Sequence, residues 1–121
     1  MAEYRSVPER AKEISPEIFF AIDLRVGTVV GAERFPQARK PSYRLRLDFG
    51  PLGVMNSSAQ LTERYSSDDL VGRQVIAAVN IGERRIAGFT SECLVLGVDD
   101  DNGRVVCLAP DAPVPNGARV Y

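Results

Sequence analysis

The sequence predicts an all-β domain, a closed or nearly closed barrel of five principal strands with a short helix midway. Three observations lead there. Short segments alternate apolar and polar side chains with a period of two, glycine and proline turns separate them, and one clear helix start falls inside the domain. At 121 residues, with 45% hydrophobic and 26% charged residues, one core is expected, burying roughly two thirds of the surface of the unfolded chain.

The elements follow in order. Residues 3 to 17 carry Glu3, Arg5, Glu9, Arg10, Lys12, Glu13 and Glu17 among few large apolar side chains, which reads as a solvated, partly helical arm. Ser15-Pro16-Glu17-Ile18 is a helix start, because serine accepts a first-turn N–H and proline already holds a helical φ where no N–H is needed. From Leu24 the period drops to two, with Leu24, Val26, Thr28, Val30 and Ala32 on one parity and two glycines on the other, as in a long bent strand. Tyr43, Leu45, Leu47 and Phe49 alternate with Arg44, Arg46 and Asp48, the clearest half-buried strand. Val54 to Ala59 forms a third strand, and Ser66 to Leu70 a short helix stopped by Gly72. The apolar run Val75 to Val79 predicts a central strand covered on both faces. Leu94, Leu96 and Val98 then lead to Asp99-Asp100-Asp101-Asn102-Gly103 and a return strand from Arg104 to Leu108, a hairpin for which Asn-Gly suggests a type I′ turn. Three prolines stiffen the loop before Ala118 to Tyr121, an expected edge strand. Short strands with a helix midway suit an OB-fold, a five-stranded Greek-key barrel, here with short helices and terminal extensions.

Composition excludes much chemistry. Without histidine there is no Ser-His-Asp or Cys-His pair and no imidazole ligand, so no catalytic residue is assigned and no enzyme activity is expected. Ser57 and Ser58 lack an activating partner, and neither lysine stands at Ser-x-x-Lys spacing. The acidic run fails as a calcium loop, since Pro110 occupies the place of the bidentate glutamate. Cys93 and Cys107 cannot close a zinc site; buried reduced thiols are the simplest account, and facing each other across the hairpin is the other. No metal or cofactor is expected. Nor is membrane insertion, since no window approaches about 18 uninterrupted apolar residues. Met1 to Lys12 resembles no export signal, so a soluble cytoplasmic location is expected.

Charge placement is the strongest functional signal. A net charge of -1 argues against bulk attraction to nucleic acid, yet Arg34, Arg39, Lys40, Arg44 and Arg46 put +5 into thirteen positions free of acidic residues. Arg84-Arg85, read as lying on a loop after Val79-Asn80-Ile81, adds a second pair. If these segments meet they form a groove for a polyphosphate backbone, where arginine's planar fork grips phosphate and stacks on bases. Tyr43, Phe35 and Phe89 are the nearby aromatics that can stack. The alternative is a solvated arginine face over a core tyrosine.

Asp23-Leu24-Arg25-Val26-Gly27-Thr28-Val29-Val30 resembles the opening of the tRNA-binding OB domain appended to some aminoacyl-tRNA synthetases. Phe35-Pro36-Gln37-Ala38-Arg39-Lys40-Pro41, Ser57-Ser58-Ala59-Gln60, Val79-Asn80, Arg84 to Phe89, Ser91-Glu92 and Pro113 to Gly117 follow more closely the free-standing CsaA proteins. That resemblance implies an OB-fold homodimer that binds tRNA, with an export-related chaperone role. Its implied partners are unfolded or export-bound polypeptides and the secretion ATPase. The domain is expected over 15–121, after an arm over 1–14. By position, the resemblance puts Arg25, Lys40, Ser57, Ser58, Asn80, Arg85 and Ser91 on the RNA face, and Arg39 and Arg84 join them by charge. Peptide would sit in an apolar dimer groove with Phe20, Phe35 and Phe89. The chain departs from the family pattern at Asn56, where a basic residue is usual, and at Ile81-Gly82-Glu83, where Gly82 loosens the loop presenting Arg84 and Arg85.

Overall fold

A computed structural model describes residues 8–121; residues 1–7 of the arm expected over 1–14 lie outside the described residues. Residues 8 to 15 are exposed and form no helix. Ser15 then caps α1 (Pro16–Ala21), its hydroxyl accepting from the Ile18 N–H, with proline in the first turn. No residue of α1 is buried.

The barrel sheet comprises β1 (Leu24–Arg34), β2 (Tyr43–Asp48), β3 (Val54–Ala59), β4 (Gln74–Ala78) and β7 (Leu94–Val95). All pairings are antiparallel, in the order β3-β2-β1-β4-β7. Thus β1, long enough to pair with β2 and β4 in succession, is the central strand, and β4 lies one place from the edge rather than at the centre. The far edges approach each other: the Glu92 N–H donates to the Asn56 carbonyl at 2.8 Å, and Ser57 Oγ donates to the Cys93 carbonyl at 2.9 Å. These bonds nearly close the barrel and remove the exposed edge that an open sheet would leave.

The inward parity of β1 changes along its length. Val29 faces Leu47 but Gly31 faces Arg46, so Val30 is an extra, bulged residue. Val30 is consequently 48% exposed, while Val29 enters the core. Ala32, beyond the bulge, returns to the core side beside Leu45. Val26 is buried for a separate reason. Beyond the end of β2, the C-terminal segment runs along β1, with Val26 N–H donating to Ala118 and Gly117 N–H to Val26.

Tyr43, Leu45, Leu47 and Phe49 point inward together with Leu61, Tyr65, Leu70, Val75 and Ala77. Two polar groups in this core are satisfied: the Tyr43 hydroxyl donates to the Tyr65 carbonyl, and the Tyr65 hydroxyl accepts from Cys107 N–H. The midway helix is α2 (Ser67–Leu70), opened by a reciprocal capping box between Ser66 and Asp69.

Two small ribbons complete the domain. The first, β5 (Arg84–Ile86) with β6 (Phe89–Ser91), replaces the loop expected there. Its two turn residues, Ala87 at φ +47° and Gly88 at φ +83°, have the positive φ values of a type I′ turn. The second pairs β8 (Gly97–Asp99) with β9 (Val105–Cys107). Its turn is not the two-residue type suggested by Asn-Gly. Gly103 N–H donates to Asp100, Asp100 N–H donates to Arg104, and among residues 101–103 only Gly103 has positive φ, giving a three-residue turn with a glycine bulge. Cys107 pairs with Gly97, so the two thiols do not face each other across this hairpin; both are free.

Candidate nucleic-acid interface

Period-two alternation decides what β2 and β3 show to solvent. With Leu45, Leu47 and Ser57 turned inward, Arg44 and Arg46 turn outward, opposite Ser58 and Asn56 across the β2–β3 pair. The β5–β6 ribbon lies against this face through Ser58 N–H, which donates to Ser91 Oγ at 3.1 Å. Phe35, from the β1–β2 loop, meets the Phe89 ring edge-on at 5.4 Å, and the Arg44 guanidinium lies 5.2 Å from the Phe35 centroid. The two basic segments of the sequence therefore do meet, joined by this Arg44–Phe35–Phe89 stack.

Which cations remain available follows from their partners. Arg44 is held by Glu33 at 3.0 Å. Arg85 donates within its own ribbon, to Thr90 Oγ1 and the Gly88 carbonyl. Among the described residues Arg39, Lys40, Arg46 and Arg84 have side chains with no carboxylate, hydrogen-bond or ring partner and are exposed, as are Arg10 and Lys12 on the arm before α1. Arg34 is occupied only by the Tyr43 ring, 5.7 Å away. Arg84 alternates with Arg85, so the two guanidiniums leave opposite faces of the ribbon. Arg84 shares a cleft of 110 Å³ with Ser58 and Ser91.

Three expected RNA contacts have other roles in the structure. Arg25 donates to Asp23 at 2.6 Å and to the Gly117 carbonyl at 2.9 Å, tying the C-terminal segment to β1. Arg119 completes this clasp, reaching Asp23 at 3.6 Å and the Phe20 carbonyl at 2.6 Å. Asn80 accepts from Asp23 N–H and donates to the Ala21 carbonyl, both at 2.8 Å, fixing α1 against the barrel. Ser57 is 1% exposed and its hydroxyl is spent on Cys93. These sequence-distant bonds carry no local signal. The expected peptide residues also divide: Phe35 is buried at 3% exposure, Phe89 is half-buried against it, and only Phe20, at 47%, stands open on α1 beside Phe19.

Sequence reasoning missed a second cationic group, Arg64 and Arg73, whose guanidiniums each lie 5.2 Å from the Tyr65 centroid. Arg73 also donates to the Asp69 carbonyl. Burial pushes the Cys93 thiol up to about 11, opposed in part by the Ser57 hydroxyl, and raises Cys107 as well. Neither thiol is activated. Among the described residues no group of His, Cys, Asp and Glu is arranged to hold a metal ion. No helix among them is long and apolar enough to cross a membrane.

The family model described as "Putative tRNA binding domain" matches residues 24–119. Methionine–tRNA ligase of Porphyromonas gingivalis is 36% identical over 110 residues, covering 91% of this chain, and that of Methanocaldococcus jannaschii is 34% identical over 112 residues, covering 93%. The chain spans only 16% and 17% of those enzymes' lengths. Two of the solved structures it resembles are chaperones covered over 100% of their own chains. The chaperone CsaA of Bacillus anthracis is 48% identical with a TM-score of 0.85, covering 91% of this chain, and the CsaA chaperone protein of Picrophilus torridus is 41% identical with a TM-score of 0.84, covering 90%. On these matches, the OB-like barrel carries a tRNA-binding domain, and the chain belongs to the CsaA family.

Proposed function

We propose that the protein binds tRNA through the outer face of β2 and β3 and the adjoining β5 side of the ribbon, as a homodimer in the cytoplasm, with residues 15–121 as the binding unit. The observation that carries this reading is that four exposed cations without internal partners, Arg39, Lys40, Arg46 and Arg84, fall on β2, the loop before it and the β5–β6 ribbon of a chain whose net charge is -1. Arg46 and Arg84 flank the Ser58 and Asn56 surface, so phosphate contacts there stand beside groups able to meet sugar or base edges. A binding role without chemistry agrees with the inert thiols and the buried Ser57.

The test is a tRNA titration against salt. Four neutralised phosphates give a slope of log affinity on log salt of about -3, hence roughly 50-fold weaker binding at 200 than at 50 mM. Arg46→Ala with Arg84→Ala should reduce the slope's magnitude by about 1.4. A salt-independent affinity, or an unchanged slope in the double variant, overturns the reading.

A second activity is favoured by one observation. α1 buries nothing and, with Ile22 just after it, exposes Ile18, Phe19 and Phe20, an apolar surface that water disfavours. A second copy of the chain covers this face in the proposed dimer, and the groove rimmed by Phe20 receives unfolded or export-bound polypeptide, making the protein a chaperone whose clients reach the secretion ATPase. Phe20→Glu should yield monomers by sedimentation and abolish suppression of client aggregation; a dimeric, fully active variant excludes this.

A further inference from the structure

The cleft beside Ser58 extends the tRNA reading, on which this inference rests. It is walled by Ile81, Ile86 and Leu94, and its polar groups are Ser58, Ser91 and Arg84. We propose that it receives one unstacked nucleobase of single-stranded RNA, so that the protein recognises an unpaired nucleotide rather than a duplex backbone.

Four features point to this occupant. The volume of 110 Å³ has room for a planar ring system but not for a length of folded chain. Its apolar walls are partly open, with Ile81 and Leu94 among the exposed large side chains, so they gain by being covered with a flat apolar surface. The Ser58 hydroxyl and the Arg84 guanidinium have no partner among the described residues, leaving donors and an acceptor at the rim for a base edge. Arg46, outward on the neighbouring strand and equally unpartnered, supplies the charge for the adjoining phosphate.

An extended peptide fits less well. Peptides that lie along a sheet edge are held by main-chain bonds. Here that edge is already used, since the Asn56 carbonyl accepts from Glu92 N–H and Ser58 N–H donates to Ser91 Oγ. A duplex does not fit either, because its bases stay stacked, whereas unpaired loops and ends can turn a base out.

The test compares hexa-adenylate with an abasic ribose-phosphate hexamer of the same charge, by fluorescence anisotropy at one salt concentration, with tRNA as a third probe. Wild-type protein should bind hexa-adenylate roughly tenfold more tightly than the abasic hexamer, the contribution of covering one base face with aliphatic walls at about 25 cal/mol per Å². Leu94→Trp, which fills the mouth of the cleft, should erase that preference and leave the abasic affinity within twofold. Arg46→Ala should weaken both hexamers alike. Equal affinities for the two hexamers, while tRNA binds with its salt dependence, overturn the cleft assignment alone; the wild-type comparison decides this even if Leu94→Trp does not fold. Failure to bind any of the three probes removes the tRNA reading and the cleft with it. Displacement of hexa-adenylate by an unfolded peptide from wild type but not from Leu94→Trp assigns the cleft to polypeptide instead.

Discussion

Replacing Arg25 by methionine separates architecture from recognition. The side chain is partly buried and donates to both Asp23 and the Gly117 carbonyl, so Arg25→Met breaks two charge-assisted bonds, of which the one to Gly117 holds the C-terminal segment on β1. Such bonds contribute ~1.5–3 kcal/mol each when well shielded. With about a quarter of the side chain open to water, and with Asp23 keeping Arg119, a net loss of about 2–3 kcal/mol is expected. For a domain of this size that lowers the midpoint of thermal unfolding by roughly 8–12 °C. The control is Arg46→Met, which removes an exposed cation with no partner and should change stability by less than about 0.5 kcal/mol. Calorimetry and a tRNA titration run on both variants below their midpoints should therefore give opposite outcomes. Arg25→Met loses stability and keeps its tRNA affinity within twofold; Arg46→Met keeps its stability and binds more weakly. An Arg25→Met protein as stable as wild type but binding tRNA tenfold more weakly refutes this reasoning and returns Arg25 to the RNA face.

Three further outcomes are expected. A Cβ at Gly27 would stand 2.7 Å from the buried Phe49 ring whereas one at Gly31 would meet only Arg46 at 3.7 Å, so in urea unfolding Gly27→Ala should cost about 2 kcal/mol and Gly31→Ala almost nothing. With the Cys93 thiol raised to about 11, its thiolate fraction at pH 8 is roughly two orders of magnitude below that of a free thiol, so native protein should resist iodoacetamide at this residue until it is unfolded. Burial favours the protonated thiol, so its contribution to stability is complete below the ordinary thiol pKa and disappears as pH rises towards 11. The Ser66 backbone N–H and hydroxyl hold the Asp69 carboxyl below its usual range, with Arg73 assisting. The capping contribution is therefore complete above the ordinary carboxylate pKa and is lost as pH falls through the lowered value; Asp69→Ala should be less stable at pH 7 and show a shallower acid loss by circular dichroism.

The parts of the fold that depend on local chemistry were legible in the sequence. Alternation over Tyr43 to Phe49 identified β2 and its inward face, Ser15-Pro16 and Ser66 marked the helix starts, and Gly72 ended α2. The parity of β1 was not legible, because valine occupies both registers from Val26 to Val30 and only the partner strand decides where the bulge falls. Ala87-Gly88 is a weak turn signal, so the β5–β6 ribbon read as a loop. For the interface, sequence located the cations but not their partners. Arg25 and Asn80 looked like Arg39 and Lys40 until long-range bonds to Asp23, Gly117 and Ala21 distinguished them, and Ser57 and Ser58 were separated only by the inward and outward sides of β3.

Backbone amide NMR of the labelled protein, recorded with and without tRNA at low salt, tests most directly whether the unpaired cations mark the contact surface. The perturbed amides should cluster at Arg39, Lys40, Arg46, Asn56, Ser58 and Arg84, leaving Arg64, Tyr65 and α2 unmoved. Perturbations concentrated around α2 and the Arg64–Tyr65–Arg73 group, with β2 and β3 silent, would contradict the account.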